Sequence, residues 1–197
     1  MTARTRAIHA PWREKYLLAM AEAERGVPGD DGAIPAPKGS TGCFLRDYWL
    51  APEQDEANHV VLRRSDDEAG GAGLGGMILL NLFPYASGHL LVALGESRAR
   101  LLDYSPAQRS ALWSMVDEAM DLLERAFEPQ GVNVGLNQGR AAGAGLPQHA
   151  HVHLVPRWHG DVNFMSVVGD ARVIPSSMSA VAARLRAARR GAAGGGG

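Results

Sequence analysis

The chain has 197 residues, 46% of them apolar and 21% charged. This is the size of one globular domain with extended ends, able to bury a core without disulfide or metal cross-links. Twenty basic residues against 21 acidic ones give a net charge of −1, which excludes a generally basic protein that coats nucleic acid and a strongly acidic solvating one. A single cysteine, Cys43, rules out an intrachain disulfide and an all-cysteine zinc cage, and it suits a reducing, cytoplasmic setting. No apolar stretch nears the roughly 20 residues of a membrane span, and no signal peptide is expected at the N-terminus.

Residues 12–24 (WREKYLLAMAEAE) are predicted to form a short helix behind Pro11, and 26–42 a loop rich in Gly and Pro. A strand is expected around 57–64, followed by a glycine-rich hairpin loop over 66–76. That loop lacks the Gly-Lys-Ser/Thr ending of a phosphate-binding P-loop. Met77–Phe83 reads as a buried strand, Pro84–Gly88 as a turn and His89–Leu94 as the next strand. The clearest helix covers 105–128: Ser105 and Pro106 suit its cap and first turn, and Leu112, Met115, Val116, Met120, Leu122, Leu123 and Phe127 fall near helical spacing. Pro129 and Gly131 are expected to stop it. Strands are predicted over Val132–Asn137 and His149–Val155 with a small-residue loop, 139–147, between them, and a last helix over 176–190.

After Asp170 there is no acidic residue, but there are five arginines, Arg172, Arg184, Arg186, Arg189 and Arg190. These read as a solvated basic helix face, or as a weak contact for a polyanion. The Gly-rich end of the chain is expected to be disordered. Strands, one long helix and further strands, in that order, favour an antiparallel α+β sheet over a parallel one.

The informative stretch is Gln148-His149-Ala150-His151-Val152-His153-Leu154-Val155-Pro156-Arg157, which holds three of the seven histidines. Alternation along a strand sends all three imidazoles to one side, about 6.6 Å apart, with Ala150, Val152 and Leu154 on the other. A core does not call for three histidines in a row, since each buried ring nitrogen left without a partner costs about 1–3 kcal/mol. Two chemistries fit. Histidines at i and i+2 can share a zinc ion, although the usual further Cys or acidic ligand is not nearby in sequence. Alternatively, an imidazole of ordinary pKa about 6.5 is a competent nucleophile toward phosphorus at neutral pH, with its neighbours donating to phosphate oxygens.

His149-Ala-His151-Val-His153-Leu-Val with Pro156-Arg157 resembles the motif of the histidine triad family of nucleotide hydrolases and transferases. Asn81-Leu-Phe-Pro-Tyr85-Ala-Ser-Gly88-His89 resembles the family's earlier strand-turn-strand, and Asn137-Gln138-Gly139 its phosphate-side loop. Arg157-Trp158 through Gly160-Asp161-Val-Asn163-Phe164, and APWREKYL near the N-terminus, are similar to the branch with diadenosine tetraphosphate phosphorylases and dinucleoside polyphosphate hydrolases. The resemblance implies an α+β fold with about five antiparallel strands and a long helix packed on them. It implies an N-terminal extension over 1–40, the histidine triad domain over 41–175 and a basic helix and tail over 176–197. It implies His151 as the nucleophile that forms a nucleotidyl-histidine, with His149 and His153 orienting it and contacting phosphate. It also implies Gln138 near the phosphates, Asn81 near the ribose, and His89 close to the triad. Gly143 and Gly145 would let the backbone approach a phosphate. A nucleotide substrate and a homodimer are expected; a cofactor, a bound metal, a membrane and a specific nucleic acid are not. A phosphoramidate hydrolase and a non-catalytic nucleotide-binding module are the alternatives. The chain departs from the family at Arg46, where some members have the second cysteine of a Cys-x-x-Cys zinc motif, at Pro147, where a histidine could add a ligand, and at Leu146, where several branches have Ser or Thr.

Overall fold

The computed structural model describes residues 40–161 and 176–193. All of them belong to one compact unit, residues 38–161 together with 174–197. The helix expected over 12–24, Trp12, Arg172, Asn163, Phe164 and the last four residues lie outside the described residues. In chain order the elements are α1 (Phe44–Leu50), β1 (Val60–Arg64), β2 (Gly76–Leu80), β3 (Leu90–Leu94), α2 (Pro106–Phe127), β4 (Gly131–Leu136), β5 (Val152–Arg157) and α3 (Met178–Ala193).

The strands form one sheet in the order β1-β2-β3-β5-β4, every neighbouring pair antiparallel. This is the α+β sheet expected from the element order. Alternation sorts the side chains into two clusters. Ile78, Leu80, Leu90, Val92, Leu94, Val152 and Leu154 pack on one face against Leu112, Met115, Ala119, Leu122 and Leu123 of α2. Met77, Leu79, Leu91 and Ala93 pack on the other with Cys43, Leu45, Tyr48, Trp49 and Leu146. The central strands β2 and β3 are therefore buried along their whole length. A register shift between Val60 and Leu62 lets both Val61 and Leu62 join the helix-side cluster. The outer strand β4 stays largely exposed.

The helix α2 begins as its sequence predicts. The Ser105 hydroxyl accepts from the Gln108 N–H, and the Gln108 side chain accepts in return from the Ser105 N–H. It ends at Phe127 because Glu128 turns left-handed, at φ 47°, ahead of the proline and glycine expected to stop it. Two boundaries and the packing of the last helix differ from the sequence reading. The buried strand expected over Met77–Phe83 ends at Leu80, and Leu82 and Phe83 are exposed on the following turn. The histidine strand begins at Val152 and runs to Arg157, so His149 and His151 precede it. The last helix is not merely a solvated basic face. Val181, Ala182 and Leu185 are buried in the main core, the Arg184 guanidinium sits 5.0 Å from the centre of the Phe127 ring, and Arg186 donates to the Val60 carbonyl at 2.9 Å. The glycine-rich stretch at 70–75 is a hairpin loop between antiparallel β1 and β2, closed by the Asp66 carboxylate accepting from Gly75 N–H at 2.8 Å.

Candidate active site

The loop from Gly139 to His151 brings the triad to the sheet face opposite α2. It opens with a single 3₁₀ turn over Arg140–Ala142, closed by Gly143 at φ 87°, whose N–H donates to the Arg140 carbonyl at 2.8 Å. Gly143 thus shapes the turn, a conformation in which a side chain would be strained. Further on, the loop is pinned to the segment after β3: Ala150 N–H donates to the Arg98 carbonyl at 2.7 Å and the Ser97 hydroxyl to the Gln148 carbonyl at 2.9 Å. The Gln148 amide reaches the Gly42 carbonyl at 2.8 Å, which ties the loop to the chain entering α1. Leu146 packs partly buried against the Cys43 cluster, so its apolar side chain belongs to the core of this face.

The three imidazoles have different surroundings, because only His153 lies in the strand. His149 is fully buried. Its Nε2 lies 2.9 Å from the Leu94 carbonyl oxygen, which can only accept, so Nε2 carries the proton. Its Nδ1 lies 3.2 Å from Cys43 Sγ. Both nitrogens are engaged inside the protein, and the ring is enclosed. His151, 5% exposed, holds its Nδ1 2.8 Å from the His149 carbonyl oxygen. That bond places the proton on Nδ1 and leaves the lone pair on Nε2, which is the state a nucleophilic imidazole needs.

His153 is oriented from behind. The Tyr85 N–H donates to Nδ1 of the buried His89 at 3.1 Å, with the Asn81 amide nitrogen 3.3 Å from the same atom. An accepting Nδ1 leaves the proton of His89 on Nε2, and Nε2 lies 3.0 Å from His153 Nδ1. His89 therefore donates to His153, and the proton of His153 sits on its Nε2. The His151 and His153 ring centres are 4.9 Å apart, and the Tyr85 ring covers the outer side, 4.9 Å from His89 and 6.4 Å from His153. A lone pair on one imidazole thus stands next to an N–H donor on the other. Gly135 of β4 lies opposite His153 in the register and has no atom within 4 Å of where a Cβ would stand, which leaves room beside the ring.

Burial disfavours the charged form of all three rings. It holds His151 below the usual histidine range, and His149 and His153 down to about 4, His153 helped by the neighbouring His151. All three are neutral at pH 7. The unfolded chain, with ordinary histidines, binds more protons than the fold between pH 6.5 and about 4, so stability falls as pH is lowered through that window. His149 alone accounts for up to about 1.4 kcal/mol per pH unit there. The midpoint of urea unfolding is expected to drop between pH 7 and pH 5 and to change little between pH 7 and pH 8. A midpoint unchanged at pH 5 contradicts these assignments.

Of the other residues singled out in the sequence, Asn81 joins the cluster through His89, and its carbonyl oxygen accepts from Phe83 N–H at 3.0 Å. Gln138 lies at the loop entrance, its carbonyl oxygen accepting from Leu101 N–H at 2.9 Å, which leaves its NH₂ group as a donor. Gly145 is exposed on the same loop. Arg157 has a structural role. It binds Asp161 at 2.5 and 2.8 Å and Asn133 at 3.0 Å, which fastens β5 to β4 and holds the Asp161 carboxyl down to about 2. Among the described residues, no three His, Cys, Asp or Glu side chains are grouped to hold a metal ion, and Arg46 donates to the Gly95 carbonyl at 2.6 Å. The Cys43–His149 contact was not foreseen in the sequence. The two are 106 positions apart, and no local signal in the sequence links them.

An antiparallel sheet is backed by a long helix on one face and carries a neutral imidazole beside a donor imidazole on the other. The HIT domain family model matches residues 76–160. Over that stretch the chain resembles the histidine triad family. It is 41% identical over 97 residues to an AP-4-A phosphorylase of Mycobacterium tuberculosis, covering 49% of this chain and 50% of that protein. It is 34% identical over 82 residues to the asymmetrical bis(5'-nucleosyl)-tetraphosphatase of Schizosaccharomyces pombe, covering 42% and 44%. The chain thus spans about half the length, or less, of these relatives. Among solved structures it shares its fold with a zinc-bound histidine triad family protein from Mycobacterium smegmatis (TM-score 0.55, 24% identity, 77% of this chain and 95% of that one). A histidine triad nucleotide-binding protein from Sulfolobus tokodaii is also similar (TM-score 0.57, 18% identity, 74% and 92%). No helix among the described residues is long and apolar enough to cross a membrane.

Proposed function

We propose that this protein transfers a nucleotidyl group from a dinucleoside polyphosphate to phosphate or water through a covalent intermediate on His151. The observation that carries the reading is the proton arrangement: Nδ1–H of His151 is held by the His149 carbonyl, so its Nε2 offers a lone pair beside the Nε2–H of His153. In the first step Nε2 attacks the α-phosphorus. An N–P bond forms, the bridging P–O bond breaks, and its electron pair leaves on the departing nucleoside polyphosphate. The His153 N–H and the Gln138 NH₂ stabilise negative charge growing on the phosphoryl oxygens. In the second step an oxygen of inorganic phosphate or of water attacks the same phosphorus and the N–P pair returns to Nε2. When water is the acceptor, its proton goes to solvent. Asn81 is assigned to the ribose side, and the turn carrying Gly143 and Gly145 to the phosphates.

The relatives support this substrate class, since one is named a phosphorylase of AP-4-A and another a bis(5'-nucleosyl)-tetraphosphatase. The test is incubation with diadenosine tetraphosphate, with and without inorganic phosphate. ADP plus ATP formed only with phosphate means phosphorolysis; AMP plus ATP without it means hydrolysis. No turnover rejects the reading in favour of phosphoramidate hydrolysis or nucleotide binding alone. We further propose a homodimer in the cytoplasm, built on α2 and the exposed strand β4, where Val134 is 38% exposed. A monomeric mass in light scattering rejects the dimer.

A further inference from the structure

We infer that Cys43 is a positioning residue for the nucleophile His151, acting through the buried ring of His149. This rests on the proposed role of His151. The His149 imidazole is clamped between two groups that lie far apart in the sequence. The Leu94 carbonyl accepts from Nε2–H at 2.9 Å, so Nδ1 can only accept from the thiol 3.2 Å away. Cys43 can supply that proton because burial raises its pKa and keeps the thiol protonated. The same residue, His149, presents the carbonyl that binds His151 Nδ1–H at 2.8 Å. The chain of contacts therefore runs from Cys43 S–H to the His149 ring, and from the His149 main chain to His151. With only one of its two clamps, the His149 ring gains freedom to rotate and loosens the main chain that carries its carbonyl, whose peptide plane is then held by the Ala150 N–H on the Arg98 carbonyl. The tautomer of His151 is set by that carbonyl. The thiol side of the clamp is itself fixed by α1. Asp47 accepts from the Thr41 N–H and hydroxyl at 2.8 and 2.7 Å, and Cys43 and Leu45 are buried in the cluster beneath.

The test compares Cys43→Ala, which removes the donor, with Cys43→Ser, which keeps one. For the alanine variant, kcat is expected to fall about tenfold, the value of one buried hydrogen bond, with KM within about twofold. The serine variant is expected to stay within about threefold of the parent. Nitrogen-15 chemical shifts of the imidazoles give a readout that needs no substrate. The parent is expected to show His149 as the Nε2–H form and His151 as the Nδ1–H form, and the alanine variant a mixed population at His151. Equal loss in both variants, or an unchanged kcat with His151 still fully Nδ1–H in the alanine variant, overturns the inference. If diadenosine tetraphosphate is not turned over at all, the functional reading fails, and the nitrogen shifts still decide the role of Cys43.

Discussion

Replacing His151 by alanine is expected to lower turnover of diadenosine tetraphosphate by on the order of 10⁴-fold or more, while substrate binding persists. The magnitude reflects the loss of the nucleophile itself, since the remaining donors bind the ground state and cannot form the covalent bond. His153→Ala leaves the lone pair in place and removes one positioned donor, so its cost is smaller, about 10²–10³-fold. The ordering separates the roles. Steady-state assays in which His153→Ala is as damaging as His151→Ala would place the nucleophile elsewhere.

The second large effect is on stability. Gly76 opens β2 where the sheet meets α2. A Cβ there would stand 2.6 Å from the Ala93 carbonyl oxygen, 2.9 Å from Met115 Sδ and 3.1 Å from Leu94 Cα. Two of those three atoms are backbone of the neighbouring strand and cannot swing aside. Gly76→Ala is therefore expected to cost about 2–3 kcal/mol and to lower Tm by roughly 5–10 °C. Gly131 begins the exposed outer strand and has nothing within 4 Å, so Gly131→Ala serves as the near-neutral control. Thermal melts of the two variants that coincide would contradict this account of the packing.

How much of this was legible in the sequence depends on range. The capped helix Pro106–Phe127 could be read because its signals are local: a serine, a proline and an apolar stripe. The sheet class followed from element order, and the triad from three histidines alternating with apolar residues. What failed was the assumption that alternation means a strand throughout. His149 and His151 sit on a loop pinned by Arg98, Ser97 and Gly42, partners 51 or more positions away. Those contacts bury the His149 ring instead of aligning it with the other two. Leu82 and Phe83 extended an apolar run in the sequence, yet they are exposed on the turn, because Asn81 turns the chain by accepting from Phe83 N–H and by reaching toward His89. The basic C-terminal helix was read by its charges, but Val181, Ala182 and Leu185 decide where it packs. His89 was placed near the triad by family resemblance; its use as the donor that sets the His153 proton needed the three-dimensional contacts.

The most direct test of the central claim is the stereochemical course at the α-phosphorus, followed with a substrate made chiral there by sulfur and oxygen isotopes. Two successive displacements, first by His151 Nε2 and then by the acceptor, each invert the centre, so the products are expected with overall retention. Inversion would mean a single direct attack by phosphate or water, and would contradict a covalent nucleotidyl-His151 intermediate.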